Sequence, residues 1–179
     1  MLGVKRGIVR LEEYNPEWVA LFEMEKQPLI SAFGSRIQAI EHIGSTAIPG
    51  MCAKPIIDMN VAVESLDDIN DFIHTLPKLG YEYIPERRFA DRQFFPKGLP
   101  ECRTHHLNLV EIRSETGWRN PLLFRDYLRA HEEARAEYRE LKEKLATQYF
   151  DNRDEYTEGK GSFIHRILKE ARKEANLVL

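Results

Sequence analysis

EHIGSTAIPGMCAKPIIDMN, residues Glu41 to Asn60, decides how this chain folds and where its chemistry lies. Its second half, PIIDMNVAV at 55–63, is the clearest strand in the sequence. Side chains alternate faces along a strand. Ile57, Met59, Val61 and Val63 are all apolar, so one face packs on helices, and Asp58 and Asn60 share the other. Two polar side chains at i and i+2 in mid-strand need a partner. A metal ion, a bound phosphate or a hydrogen-bond network would each provide it. Upstream, Gly44 lets the backbone approach a phosphate with no Cβ in the way. Ser45 and Thr46 offer hydroxyls and successive N–H groups, and Lys54 adds positive charge just before the strand. This is the logic of phosphoryl chemistry, with a backbone cradle and a carboxylate to hold Mg²⁺ against phosphates.

The stretch THHLNLVE (104–111) repeats the device. Leu107 and Leu109 form a buried face, while His106 and Asn108 share the opposite one. If the two strands are neighbours, Asp58, Asn60, His106 and Asn108 converge and together can hold one metal ion through oxygen and imidazole. Arg87, Arg88, Arg92 and Arg103 interleave with Phe89, Phe94 and Phe95. They suit either a phosphorylated, stacked substrate or a solvated face over a core strand. A Ser45–His42–Asp58 hydrolase triad lacks the strand–nucleophile–helix elbow, and nothing activates Cys52 as a thiol nucleophile.

Outward from this centre the elements follow. GIVRLEEY (7–14) is a short β-like opening. Asn15-Pro16 starts a helix carrying Trp18, Leu21, Phe22, Leu29 and Phe33, which Pro28 is expected to kink or split and Gly34 ends. Residues 36–43 form a strand. A helix over Leu66, Ile69, Ile73 and Leu76 stops at Gly80, and strands are expected at 81–84, 92–95 and 104–112. Beyond Gly117 the pattern changes to two or three amphipathic helices. Lys160, between two glycines, is the one position there marked for function. Strands and helices first and helices last give an α+β single domain over 1–179, with a sheet-containing core at 1–116 and a helical part at 117–179.

With 179 residues, 42% hydrophobic and 31% charged, the chain buries a real core. Its net charge of −3 argues against bulk nucleic-acid binding. Two distant cysteines and a first segment without a signal-type apolar region point to a cytoplasmic protein. No apolar run nears the roughly 18 residues of a membrane span. The oligomeric state is open, although amphipathic C-terminal helices could serve a dimer.

At EHIGSTAIPG…KPIIDMNV the sequence resembles the GrpB family, together with YNPEW (14–18), THHLNLVE, FRDYLRAHEEARAEY (124–138) and YTEGKGSFI (156–164). The resemblance implies a nucleotidyltransferase-like mixed β-sheet with helices on one face and a C-terminal helical cover. It also implies kinship with enzymes that transfer nucleotidyl groups using divalent metals. In active members of that superfamily a Gly-Ser turn precedes a strand bearing two carboxylates, and a third carboxylate lies on a later strand. Gly44 and Ser45 match the turn and Asp58 the first carboxylate. Asn60 departs from the second, and Asn108 departs from the His-x-His that many GrpB sequences carry. Some bacteria have a GrpB-like segment fused to dephospho-CoA kinase, a nucleotide-related context.

Two Mg²⁺ ions about 3.5–4 Å apart need several anionic ligands. One Asp, two amides and an imidazole favour one Mg²⁺ or Mn²⁺ over two. The expected ligand is a nucleotide or another phosphorylated small molecule. Asp58, Asn60 and His106 are the catalytic candidates, and Asp58, His106 and Asn108 the metal ligands. Gly44, Ser45, Thr46, Lys54, Arg88, Arg103 and Lys160 are expected to hold phosphate. The expectation is a possible nucleotidyltransferase. The alternatives are a degenerate nucleotide- or metabolite-binding module, or a plain structural domain.

Overall fold

A computed structural model describes residues 1–177. Four strands, β1 (Ala39–Ile43), β2 (Ile57–Val63), β3 (Arg92–Lys97) and β4 (His105–Glu111), form one mixed sheet in the order β1-β2-β4-β3. β1 runs antiparallel to β2, β2 parallel to β4, and β3 antiparallel to β4. The β2–β4 pairing sets Asp58 opposite His106 and Asn60 opposite Asn108, so the two alternating strands are neighbours, the condition under which the four polar side chains converge.

The odd-numbered face of β2 builds the main core. Ile57, Met59, Val61 and Val63 are buried with Leu107, Leu109 and Phe95 against Trp18, Phe22, Leu29 and Phe33 of α1 (Glu17–Phe33) and Phe72 of α2 (Asn70–Thr75). Pro28 does not split α1, which runs unbroken through it. A proline inside a helix costs about 3 kcal/mol, and burial of Leu29 and Phe33 one turn on offsets that loss. The helix expected from Leu66 is only the short α2, since Pro77 tightens the chain into a 3₁₀ turn that ends at Gly80. The expected strand at 81–84 is reduced to one bridge between Tyr81 and Lys97. Pro85 opens a 3₁₀ turn that draws the chain away, and the Ile84 carbonyl is satisfied by the Gln93 side chain. The opening 7–14 is likewise no strand; it makes a single bridge, Glu12 to Ala53.

Four helices follow the sheet: α3 (Asn120–Ala130), α4 (Glu132–Gln148), α5 (Arg153–Glu158) and α6 (Gly161–Leu177). They build a second core of Leu128, Tyr138, Phe163 and Ile167 with Ile48 and Met51. A third cluster joins Val9, Leu145 and Tyr156. Arginines dock this cover on the turn after β1. Arg125 donates to Glu41 (2.6 Å) and to the His42 carbonyl (2.8 Å), and Arg129 donates twice to the Ala47 carbonyl (2.9 and 2.7 Å). No helix among the described residues is long and apolar enough to cross a membrane.

Candidate functional site: a cationic crevice around an Asp–His pair

Asp58 and His106, side by side on β2 and β4, are joined by a 2.9 Å hydrogen bond between Nδ1 and Oδ1. Burial alone would raise the Asp58 carboxyl. The His106 hydrogen bond and the charges of Lys54 and Arg153 outweigh it and hold the group below the usual carboxylate range. Burial likewise lowers His106 more than Asp58 raises it, so the imidazole is neutral near pH 7. A neutral ring beside a carboxylate donates from Nδ1, leaving Nε2 a lone pair with no protein partner among the described residues.

Gly44 makes room for this pair. Its φ of 70° and ψ of −171° lie where only glycine is at ease. A Cβ there would come 2.7 Å from Asp58 Oδ2. Gly44→Ala is therefore expected to destabilise the protein by about 1–3 kcal/mol in urea unfolding. Unchanged stability would mean that the carboxylate has another place to go.

Around Asp58 lies a set of cations that share its one charge and make no direct ion pair among the described residues. Lys54, Arg6, Arg87 and Arg153 line a narrow crevice of about 30 Å³ with His106, and no Asp or Glu lines it. None of these four cations, nor Lys160, forms an ion pair or a side-chain hydrogen bond among the described residues. Lys54 and Lys160 lie over the buried Tyr156 ring at 5.5 and 4.3 Å. Lys142, fully buried, donates to the Cys52 carbonyl and sits 5.2 Å over Tyr138. Burial, then repulsion by neighbouring cations, pushes Lys160 down to about 7. Burial first also takes Lys54 and Lys142 down to about 8. Through Arg87, Phe94, His106 and Arg153 the crevice opens onto a cleft of about 420 Å³. At the cleft wall Phe89 is 41% exposed, with the Arg92 guanidinium 4.3 Å from its ring.

Several expected residues have other work. Asn60 is buried, donating to the Gly117 carbonyl at 2.7 Å and accepting from Asn108 at 3.1 Å, so its amide positions the sheet against the turn before α3. The Thr46 hydroxyl points inward to His42 (2.9 Å) and to the Ile56 carbonyl (3.4 Å). Burial takes His42 down to about 4, and with Thr46 as its partner no Ser45–His42 dyad forms. Ser45 lies against the Tyr138 hydroxyl. Arg103 reaches the crevice but is ion-paired with Glu82 and donates to the Gly98 carbonyl. Arg88 is exposed and lines neither space, the neighbouring Arg87 lining both. Arg6, Lys142 and Arg153 carry no local motif, and the 135–160 segment, with six Lys and Arg against seven Asp and Glu, gives no charge signal that would mark them.

The same donors test the metal expectation. Asp58 and His106 are spent partly on each other, and Asn108 turns its amide nitrogen to Asn60. No three His, Cys, Asp or Glu side chains converge among the described residues. A dication placed beside Asp58 would face the unpaired lysines and arginines, with Asp154 and Glu158 lining the cleft but joining Asp58 in no cluster of three metal-ligating side chains among the described residues. The residues present do not make a divalent-metal site by themselves.

The family model described as GrpB protein matches residues 8–170. The chain belongs to the GrpB family. It is 42% identical over 160 residues to the UPF0157 protein YqkA of Bacillus subtilis, covering 89% of this chain and 46% of YqkA. It thus spans about half the length of that relative. To the glutamate-rich protein GrpB of Alkalihalophilus pseudofirmus it is 37% identical over 174 residues, covering 95% of this chain and 99% of that one. The crystal structure of conserved protein GrpB from Enterococcus faecalis superposes with a TM-score of 0.85 at 37% identity, over 93% of this chain and 99% of that one. The GrpB fold, and so this chain's, is nucleotidyltransferase-like. A segment similarity also reaches a dephospho-CoA kinase of Mycolicibacterium paratuberculosis, 32% identical over 163 residues, 78% of this chain and 40% of the kinase.

Proposed function

We propose that this GrpB-family chain binds a nucleotide or related phosphorylated small molecule in the crevice beside Asp58 and His106, and transfers its nucleotidyl or phosphoryl group. The observation that carries the reading is the set of partly buried, unpaired cations around one carboxylate–imidazole pair. Burying unpaired charge is costly, and such charges cluster where a ligand of opposite sign completes them. The exposed Phe89 offers a stacking surface for a base, with Arg92 beside it. The similarity to a dephospho-CoA kinase segment supports a phosphorylated, nucleotide-like ligand.

For transfer, His106 Nε2 takes the proton of an acceptor hydroxyl while Asp58 holds Nδ1–H and steadies the imidazolium that forms. The acceptor oxygen then bonds to phosphorus, and the leaving group departs with the electron pair of the broken P–O bond. The surrounding lysines and arginines balance charge on the phosphoryl oxygens. A purely binding role is the second reading, favoured by the neutral Asn60 where superfamily enzymes carry a carboxylate.

Incubation of the full chain with a nucleotide and acceptor panel tests both. Turnover is expected, with Asp58→Asn and His106→Gln each lowering it about 10²–10⁴-fold. Unaltered turnover in both variants would remove the catalytic assignment. Binding by calorimetry without product, on long incubation, would leave the binding role. No ligand-induced thermal shift across the panel would end both.

A further inference from the structure

Four cationic side chains, Arg6, Lys54, Arg87 and Arg153, line the crevice beside the Asp58–His106 pair, and Lys142 and Lys160 stand close to Lys54 just outside its lining. We propose that the crevice and the cleft it opens onto together take a chain of three or more phosphates, bound through these side chains without a divalent cation. This rests on the phosphate-binding reading above and adds the phosphate number and the ion requirement.

The charge balance points to it. With all six protonated, the site carries an excess of about five positive charges over Asp58, or about three once Asp154 and Glu158 on the cleft wall are counted, whereas a free triphosphate carries about four negative ones near neutral pH. A monophosphate leaves most of the cations unmatched. A Mg²⁺-complexed triphosphate presents about half its charge and brings a dication toward lysines and arginines. In metal-dependent phosphoryl sites, carboxylates face the ion and the ion faces the phosphates. Here the carboxylate is already tied to His106 and packed on Gly44, and the groups left facing the crevice are cations.

Placement agrees with an elongated ligand. Lys54 and Lys160 share the Tyr156 ring at one end, with Lys142 next to them. Arg153 belongs to both the crevice and the wider cleft, and Arg87 accompanies it toward Phe89. A phosphate chain reaching from Lys54, which Lys160 neighbours, past Arg153 therefore brings any attached nucleoside to the aromatic wall. The partner groups facing Lys160 are Lys54, Lys142, Asp58 and Arg153, three of them cations. Lysines held near neutrality in the free protein take up protons when a polyanion arrives.

Calorimetry on the full chain with EDTA, in buffers of differing ionisation enthalpy, tests the proposal. The probes are inorganic phosphate, pyrophosphate and tripolyphosphate, then AMP, ADP and ATP. Tripolyphosphate is expected to bind at least about 100-fold more tightly than phosphate, with net proton uptake, and excess Mg²⁺ to weaken ATP binding about tenfold. ATP binding tighter than tripolyphosphate assigns a nucleoside triphosphate, and equal affinities an inorganic chain. AMP and ATP of equal affinity, or ATP binding only with Mg²⁺, overturns the proposal and leaves the nucleotide reading standing. Failure of every phosphorylated probe, with and without Mg²⁺, overturns both.

Discussion

Lys160→Met should make the ligand-free protein about 1–2 kcal/mol more stable and weaken tripolyphosphate binding at least tenfold. The lysine sits in the turn between α5 and α6, over the Tyr156 ring, with no carboxylate partner among the described residues. Methionine keeps an unbranched apolar stem of similar reach, so packing is retained. Loss of the cation–π contact costs about 0.5–1 kcal/mol. Removing a half-buried charge that repels Lys54, Lys142 and Arg153 more than offsets it. Stability by urea unfolding and affinity by calorimetry should thus move in opposite directions. A variant that is less stable yet binds normally would make Lys160 a structural residue.

The second large effect is on pH. Lys54, Lys142 and Lys160 release protons at lower pH in the folded chain than in the unfolded one, whose lysines titrate near 10.5. Between pH 7 and 9 the unfolded state therefore holds more protons, and stability rises with pH. His42 and His105, both pushed down to about 4 by burial, act in the same sense between about pH 4 and 6.5. Above about pH 10, where the unfolded chain's lysines also lose their protons, the buried Cys52 thiol, raised by burial, and tyrosines such as Tyr156 reverse the trend, because they keep protons that the unfolded chain loses. The ligand-free protein should gain about 1–3 kcal/mol from pH 7 to 9 at fixed ionic strength. Saturating tripolyphosphate, which favours the charged lysines, should flatten or invert that gain. Flat ligand-free stability across the window would place these lysines in contact with water.

Much of this site was legible in the alternation of β2 and β4. Period two sorts Asp58 and Asn60 from the core residues whatever the tertiary context, and the same device in 104–111 marks the neighbouring strand. Gly44 was legible too, because the turn needs a residue without a Cβ. What alternation does not reveal is how much covers the polar face. Asn60 looked like a site residue, yet the turn at 115–119 buries it and claims its amide. Thr46 looked available for a ligand until His42 closed on it. The cations are the larger omission. Arg153 and Lys142 reach Asp58 only because α4 and α5 fold back over the sheet, across nearly a hundred residues, and no local spacing encodes that. Between Arg87 and Arg88, the backbone direction around the Pro85 turn decides which faces the crevice.

One consequence lies in where the cations come from. Asp58, His106 and Lys54 belong to the sheet half, whereas Lys142, Arg153 and Lys160 belong to the helices laid over it. A polyanion gripped by both halves acts as a clasp across the seam between them. Ligand binding should therefore slow amide exchange most in the 153–161 segment and the 44–54 turn, far more than in α1 behind the sheet. The same clasp would make a sheet-only fragment unable to hold the ligand, however faithfully it kept Asp58 beside His106.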